Sequence, residues 1–320
     1  MKKALGMLLL LVALCVLIDL ANPRFTSVVN LQNLTRQIAL LAIFAIGEGI
    51  VILSGGIDLS VGSVIAFTGL LVAFLVSAHG VPPALACVIV LLICVGIGLA
   101  HGGLVTKLKL QPFIVTLCTM LILRGLARRM TEDQTMGFGN QFLSFRMLGD
   151  GALLGIPVPL IILVIVAGVA HFLMRYTVYG RYLYAIGRNA DAARYSGVKV
   201  DRMQTSAYLV SALLAGIAGI LYATYTNSVQ PATTGQAYEL YAIAAAVLGG
   251  CSLRGGEGTV IGIVIGASIM RVMYNGIILV GISTFWEFAA IGTVILIGVV
   301  ADATVKQRAA KRAVKQSPKG

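Results

Sequence analysis

The sequence predicts an all-α polytopic membrane protein with about ten transmembrane helices. Hydrophobic residues make up 58% of its 320 residues, whereas charged residues make up only 11%. A soluble domain carries about one-quarter charged residues, so this charge deficit excludes an ordinary soluble fold. The net charge of +12 would suit nucleic acid, but the charges fall in short segments between apolar runs and in the C-terminal tail. That placement is typical of the cytoplasmic segments of a membrane protein.

Apolar runs that could cross about 30 Å of hydrocarbon recur along the whole chain. An amphipathic link, 22–36, follows the first run. The ten predicted spans are 4–21, 37–54, 60–77, 84–106, 113–126, 156–174, 203–225, 238–249, 259–280 and 284–300. Lysines near both termini place both ends in the cytoplasm, which requires an even number of spans. Eight spans would also satisfy this condition if 238–249 and one neighbour only dip into the membrane.

The distribution of charge predicts the orientation of the spans within a single transmembrane domain, 1–320. The segment 175–202 carries the densest group of basic residues between two spans, and the tail 302–320 is also basic. Both are therefore expected in the cytoplasm. The polar segment 130–155 is acidic on balance, as an external loop can be.

An acidic, glycine-rich stretch between the second and third spans is the first candidate for function. A charged carboxylate in the hydrocarbon core costs about 2.5–3.5 kcal/mol, so a chain keeps one only for a partner, a wet cavity or a task. Paired glycines allow a helix to break, which a membrane tolerates only inside protein or beside water. The segment 249–266 resembles 55–69, which suggests an internal duplication of the kind found in transporters. The residues of this stretch that we assign to a substrate pathway are Glu48, Gly55, Gly56, Asp58 and Ser60.

Two further charges lie deep in predicted spans, Glu287 and Arg124. Glu287 joins the pathway candidates because apolar residues flank it on both sides, as they flank Glu48. Each of these two acids could pair with Arg124 or line a pore, and the sequence leaves both interpretations open. The remaining intramembrane acids lie near predicted span ends, where a solvated or capping carboxylate is the simpler interpretation. They are Asp19, Asp58, Glu239 and Glu257.

A short helix is predicted within the basic segment, at 189–195. An N-capping asparagine begins it, and a glycine that can adopt the left-handed conformation follows it. An acid lies in its first turn and a base in its last turn, as the helix dipole favours. Two alanines would allow a close approach by a cytoplasmic partner, although the helix could instead lie on the lipid surface. The residues that we assign to docking are Asn189, Asp191, Ala192, Ala193, Arg194 and Gly197.

Several function classes are excluded by missing motifs. No GxxxxGK[ST] phosphate-binding loop occurs, so the chain is expected to bind no nucleotide and to need no cofactor of its own. The five cysteines lie mostly inside apolar runs and the three histidines are scattered, which predicts neither a metal site nor a catalytic group. We therefore predict that the chain is not an enzyme, and that it contacts lipid and protein rather than nucleic acid.

Four stretches are similar to one family of transport proteins. They are VILSGGIDLSVGSVIAFTG (51–69), QPFIVTLCTMLILRGLA (111–127), YGRYLYAIGRNADAARYSGVKVDR (179–202) and YELYAIAAAVLGGCSLRGGEGTVIGIVIGA (238–267). Together they resemble the permease subunits of ATP-binding-cassette (ABC) sugar importers, in the group for ribose, xylose, arabinose and galactosides. This resemblance implies a BtuC-like (type II ABC importer) permease fold in a bacterial inner membrane.

The resemblance also implies partners for the chain. These are a second permease copy or a sister permease, separate ABC ATPase subunits that bind ATP, and a periplasmic sugar-binding protein. The helix in 175–202 would then be the coupling helix. Three residues depart from the family pattern, Glu48, His101 and Glu287. Glu48 and Glu287 leave a second function open, an ion- or proton-coupled secondary transporter, and the resemblance indicates a sugar without identifying it.

Overall fold

The structure, a computed structural model, describes residues 2–283 and, beyond them, residues 286, 289, 292, 293, 296 and 300. Most of this part of the chain is α-helical, which confirms the predicted all-α class. The helices are α1 (Lys2–Ala21), α2 (Val28–Leu53), α3 (Val61–Ser77), α4 (Pro83–Thr106), α5 (Pro112–Met130), α6 (Leu143–Asp150), α7 (Val158–Tyr176), α8 (Val178–Arg188), α9 (Ala190–Tyr195), α10 (Val200–Thr226), α11 (Tyr238–Leu248) and α12 (Val260–Val280). The predicted tenth span, 284–300, is described only in part, and Glu287 and the tail 302–320 lie outside the described residues.

Several helices have the length and composition of membrane spans. Five described helices are long and apolar enough to cross a bilayer, namely α2, α4, α7, α10 and α12. Three more are apolar but shorter: α3, α11 and the Leu5–Ala21 part of α1. The chain is therefore a multi-pass membrane protein, as predicted.

The helix that holds the predicted second span begins earlier than that span. α2 begins at Val28, so most of the predicted amphipathic link belongs to this helix, after a short 3-10 helix at Pro23–Thr26. The helix tolerates the polar residues because each finds a partner. Ser27 Oγ caps it by accepting from the N–H of Asn30 at 3.4 Å. Arg36 Nη2 donates to the carbonyl oxygen of Asp150 at 2.7 Å.

Two polar segments contain more structure than the sequence predicted. The basic segment 175–202 holds α8 as well as the predicted short helix α9. The buried face of α8 consists of Gly180, Leu183 and Ile186, which are spaced three residues apart. This helical pattern is hard to see in the sequence because charged and aromatic residues lie between them. The segment 130–155 contains α6, and an antiparallel pair of two-residue strands follows, β1 (Ala152–Leu153) and β2 (Ile156–Pro157).

The core is centred on α10, which packs against α2, α3 and α4. α2 is its most buried neighbour, since every residue from 39 to 54 is buried. The outer helices α1, α4 and α7 instead expose apolar side chains such as Leu9, Leu92 and Val164. Such faces suit contact with lipid tails rather than with water. The helix break that follows α2 is therefore largely enclosed by the core.

Candidate functional site

The glycine-rich stretch breaks the chain between α2 and α3, as the sequence predicted. After Leu53 the chain turns through Gly55, whose φ of +86° lies in the left-handed region that favours glycine. It then runs back beside the last turns of α2, so that the N–H of Asp58 donates to Glu48 Oε1 at 3.2 Å. α3 begins only at Val61. The break is thus a folded-back connection, held at one end by a side chain of α2.

Asp58 is the acceptor that ties this break to the central helix. Its side chain is buried, with 1% of the residue exposed. One carboxylate oxygen accepts from Ser60 N–H at 3.0 Å and from Ser60 Oγ at 2.6 Å. The other accepts from Ser211 Oγ, on α10, at 3.0 Å. Of the two simpler interpretations of Asp58, burial therefore excludes the solvated carboxylate, because protein donors replace water at both oxygens, whereas the bond from Ser60 N–H just before α3 fits the capping one.

Glu48 and Arg124 do not pair in the described part of the chain. Glu48 is fully buried, and its Oε2 atom has no hydrogen-bond partner in the described ranges. Arg124 instead donates from Nη1 to the carbonyl oxygens of Pro231 and Thr234, at 2.8 and 2.6 Å. The alternative in which Arg124 neutralises Glu48 was wrong, since the arginine holds the loop that precedes α11.

The loop that Arg124 holds brings the start of α11 close to the break between α2 and α3. Gly62, in the first turn of α3, lies so close to Gly235 that a Cβ atom on either would overlap the carbonyl oxygen of the other. A Cβ on Gly62 would also come within 2.6 Å of Glu239 Oε2, in the first turn of α11. The N-termini of α3 and α11, which carry partial positive charge, therefore meet near Glu48, Asp58 and Glu239. Transporters build substrate and ion sites from broken helices of this kind.

A third contact joins this region to the basic segment through α8. A Cβ atom on Gly187 would overlap the carbonyl oxygen of Leu53 and the backbone nitrogen of Gly256. The N–H of Gly256 donates to Leu53 O at 3.0 Å, and the hydroxyl of Tyr184 donates to Gly258 O at 2.9 Å. The end of α2 and the loop before α12 thus meet on one face of α8. These are the two glycine-rich segments that resemble each other in sequence.

The short helix α9 follows α8 directly and has the predicted ends. Asn189 Oδ1 accepts from the N–H of Ala192 at 2.9 Å, and Gly197 has a φ of +85°. Arg194 also forms an ion pair with Asp201 at 2.7 Å, which fixes α9 to the start of α10. The helix, its cap and its closing glycine are therefore confirmed.

Burial separates the residues that were predicted to dock, and one residue outside that prediction is strongly exposed. Ala192 is exposed, but Ala193 is buried against Ile186 and Val200, so Ala193 cannot present its side chain to a partner. Tyr195 is 91% exposed and lies at the end of α9. It was not among the residues that the sequence predicted to dock. An aromatic residue in the last turn of a short helix that has no other large apolar residue was the signal that could have identified it.

Sequence reasoning also missed the residues of α10 that face the break. Ser211 Oγ donates to Asp58, and the buried Tyr208 hydroxyl lies beside Gly56 in the break. Both are polar residues inside a long apolar run. That feature could have marked them, because membranes keep such residues for contacts between helices.

Comparison with known proteins places the chain in a family. Residues 30–300 match the model of the family described as "Branched-chain amino acid transport system / permease component". The chain is 42% identical to "Ribose import permease protein RbsC" of Bacillus subtilis (strain 168), over 94% of this chain and 92% of that protein. It is 40% identical to the protein of the same name from Escherichia coli (strain K12), over 94% and 93%. Identity to "D-allose transport system permease protein AlsC" of the same strain is 33%, over 90% and 88%.

No solved structure matches the chain. The family match covers most of the sequence, and the relatives are matched over nearly their whole lengths. The chain therefore belongs to this family of permease components, which are membrane transport subunits rather than enzymes.

Proposed function

We propose that this chain is the transmembrane subunit of an ATP-driven importer for a sugar, and that ribose is its first candidate substrate. The observation that carries the proposal is an identity of about 40% to three proteins named ribose import permeases, over nine-tenths of this chain. The relative named for D-allose is less similar, at 33%. The family description names branched-chain amino acids, but the full-length relatives are the nearer guide to substrate. None of the relatives reported above is named as a proton-coupled carrier.

We propose the remaining architecture from the sequence and from the family. The chain would form one domain, 1–320, with ten spans in a BtuC-like fold and both termini in the cytoplasm of a bacterial cell. A second permease copy or a sister permease would complete the pathway across the inner membrane. Cytoplasmic ABC ATPase subunits would bind the ATP, and a periplasmic binding protein would deliver the sugar. The exposed face of α9, on the basic segment, supports docking of the ATPase.

Within this scheme we assign the break after α2 to gating. Glu48, Asp58 and Ser60 form its hydrogen bonds and are buried, so they hold the connection closed. Gly55 and Gly56 supply the backbone freedom for it to open. Glu287, which lies outside the described residues, remains a predicted member of the same pathway.

The proposal is tested by reconstituting the chain with its ATPase and binding protein in liposomes. Labelled D-ribose is expected to accumulate when ATP is supplied to the ATPase, and to do so equally when an ionophore collapses the proton gradient. The chain alone is expected to hydrolyse no ATP. Uptake by the chain alone, driven by a proton gradient, would contradict the proposal and favour a secondary transporter.

If α9 docks on the ATPase, its residues Ala192 and Ala193 are expected to differ in their contacts with that partner. A cysteine at Ala192 is expected to crosslink to the ATPase in the assembled complex, because this residue is exposed. A cysteine at Ala193 is the matched control, since it lies next in the chain but is buried. The crosslinked product is measured by mass shift on a denaturing gel. Labelling of Ala192→Cys only from the periplasmic side would contradict both the topology and the docking role.

A second prediction concerns the charge of Glu48. In Glu48→Gln the amide oxygen can still accept from Asp58 N–H, so the variant is expected to fold. The amide nitrogen takes the place of the Oε2 atom and removes the charge. We expect uptake to fall about tenfold or more, because a membrane protein rarely keeps a buried acid that pairs with no base in its described part unless function requires it. Uptake is compared with that of Glu132→Gln, which neutralises an acid whose side chain is 84% exposed. Equal uptake of every tested sugar by both variants would show that this charge has no role in transport.

A further inference from the structure

A group of aromatic rings surrounds Tyr238, the first residue of α11. The ring of Phe44, on α2, stacks on Tyr238 with the centroids 5.6 Å apart and an angle of 7° between the planes. Tyr222, on α10, approaches edge-on at 6.2 Å, and Tyr241 lies 5.8 Å away. Phe44 and Tyr241 are buried, whereas Tyr222 and Tyr238 are half-buried. The group therefore has a buried base and a face that remains accessible.

A guanidinium group completes this face. Arg271 lies near the middle of α12, and its guanidinium carbon is 5.9 Å from the centroid of the Tyr241 ring. It also faces the hydroxyl of Tyr238, which in turn faces Tyr222. Arg271 is half-buried, and its buried Nε atom has no hydrogen-bond partner among the residues that the structure describes. An arginine at mid-span is too costly to face lipid, so this face borders either water or another polar group.

The position of these residues connects them to the helix break. Phe44 and Glu48 are four residues apart on α2, so they lie on the same face of that helix, about 6 Å apart. Tyr238 directly precedes Glu239, whose carboxylate lies beside Gly62 at the start of α3. The aromatic group thus lies about one helical turn from the buried acids of the break.

We propose that Tyr238, Tyr222 and Arg271 form a binding subsite for a neutral polyhydroxylated molecule, a monosaccharide in furanose or pyranose form. Aromatic faces suit the apolar C–H faces of a sugar ring, and phenol hydroxyls can donate to or accept from its hydroxyl groups. The guanidinium offers several donors in one plane, which fits two neighbouring hydroxyl oxygens. Charges of both signs lie near the group, because Glu239 follows Tyr238 in the chain and Arg124 is close enough to Glu239 to attract it. A neutral ligand therefore fits the group better than an ion. The subsite rests on the proposed import function for its biological meaning.

The subsite can be tested on the full-length permease alone, in lipid nanodiscs and without ATP. Saturation-transfer NMR, which detects weak binding, would measure the binding of D-ribose and D-allose to the permease. The parent is expected to bind at least one of them, and Tyr238→Leu and Arg271→Gln to bind about tenfold more weakly, since the loss of one stacked ring or donor group is worth about that factor. Tyr238→Phe, which keeps the ring, is expected to retain most of the binding. Phe172→Leu is the control, because it removes a 59% exposed ring on α7, far along the chain from the group.

Uptake by the reconstituted importer gives a second readout. Tyr238→Leu is expected to raise the KM for transport about tenfold, with a smaller change in turnover, whereas a purely structural defect would lower turnover and thermal stability together. Parent-like binding and KM in Tyr238→Leu and Arg271→Gln would overturn the subsite, as would a parent that binds neither sugar and whose KM is insensitive to both changes. If the parent binds sugar through Tyr238 but no ATP-driven uptake occurs, the subsite stands and the proposed function fails.

Discussion

Replacing Gly187 by alanine is expected to lower uptake by the assembled importer about tenfold or more while ATP hydrolysis continues. The new Cβ atom would overlap the carbonyl oxygen of Leu53 and the backbone nitrogen of Gly256, and neither backbone group can move aside as a flexible side chain could. α8 must therefore shift away from the end of α2 and from the loop before α12. Since α9 follows α8 through the cap at Asn189, the shift separates the proposed ATPase-docking helix from both glycine-rich segments.

The expected size of this effect follows from the tightness of the contact. Forcing one extra methyl group into a close-packed contact costs about 1–3 kcal/mol, which most folded proteins tolerate. We therefore expect Gly187→Ala to insert and assemble normally, but to lose about tenfold or more of its uptake. Uptake and ATP hydrolysis would be measured on the same proteoliposomes, so that their ratio reports coupling directly.

Gly168→Ala is the matched control for this experiment. Gly168 lies inside α7, and a Cβ atom placed on it would meet nothing within 4 Å. The control therefore makes the same chemical change in a helix without creating an overlap. Equal ratios of uptake to hydrolysis in Gly187→Ala and Gly168→Ala would show that the contact of α8 does not transmit motion. Loss of assembly in Gly187→Ala alone would show that the contact serves folding rather than coupling.

The features that the sequence predicted correctly are those with local signals. The short helix α9 was predicted with its cap and its end because Asn189 and Gly197 act on neighbouring residues in the chain. The break after α2 was predicted because paired glycines and an acid interrupt an apolar run. The helices that hold the first nine predicted spans were expected for a similar reason, although α2 begins earlier than predicted, since hydropathy depends on consecutive residues.

The contacts that build the site could not be predicted in this way, because they join distant parts of the chain. Asp58 accepts a hydrogen bond from Ser211 on another helix, and Gly187 contacts Leu53 and Gly256. No spacing rule connects these positions in the sequence. Arg124 shows a second limit. A search for its partner considers acids, but its hydrogen bonds go to backbone carbonyl oxygens, which every residue carries.

The second large effect is expected at Asp58. In Asp58→Ala the N–H and hydroxyl of Ser60 and the hydroxyl of Ser211 lose a buried, charged acceptor. Buried donors that are left unpaired cost about 1–3 kcal/mol each, although small shifts can re-pair some of them. We therefore expect the free energy of unfolding to fall by about 3 kcal/mol, with a large loss of monodisperse protein after extraction from the membrane. Thermal unfolding in detergent, followed by size-exclusion chromatography, would measure both effects.

Two further variants separate the hydrogen bonds of Asp58 from its charge and from loss of an acid in general. Asp58→Asn keeps one acceptor oxygen, and its amide can donate to Ser211 Oγ, so it is expected to lie between Asp58→Ala and the parent in stability. Asp19→Ala removes a carboxylate that accepts one exposed hydrogen bond, from Thr26 Oγ1 at 3.0 Å, and should change stability by about 0.5 kcal/mol or less. If Asp58→Ala is as stable as Asp19→Ala, the bonds of Asp58 do not hold the break to α10. The gating role proposed for the break would then lose its structural basis, because nothing at Asp58 would have to be broken for the connection to open.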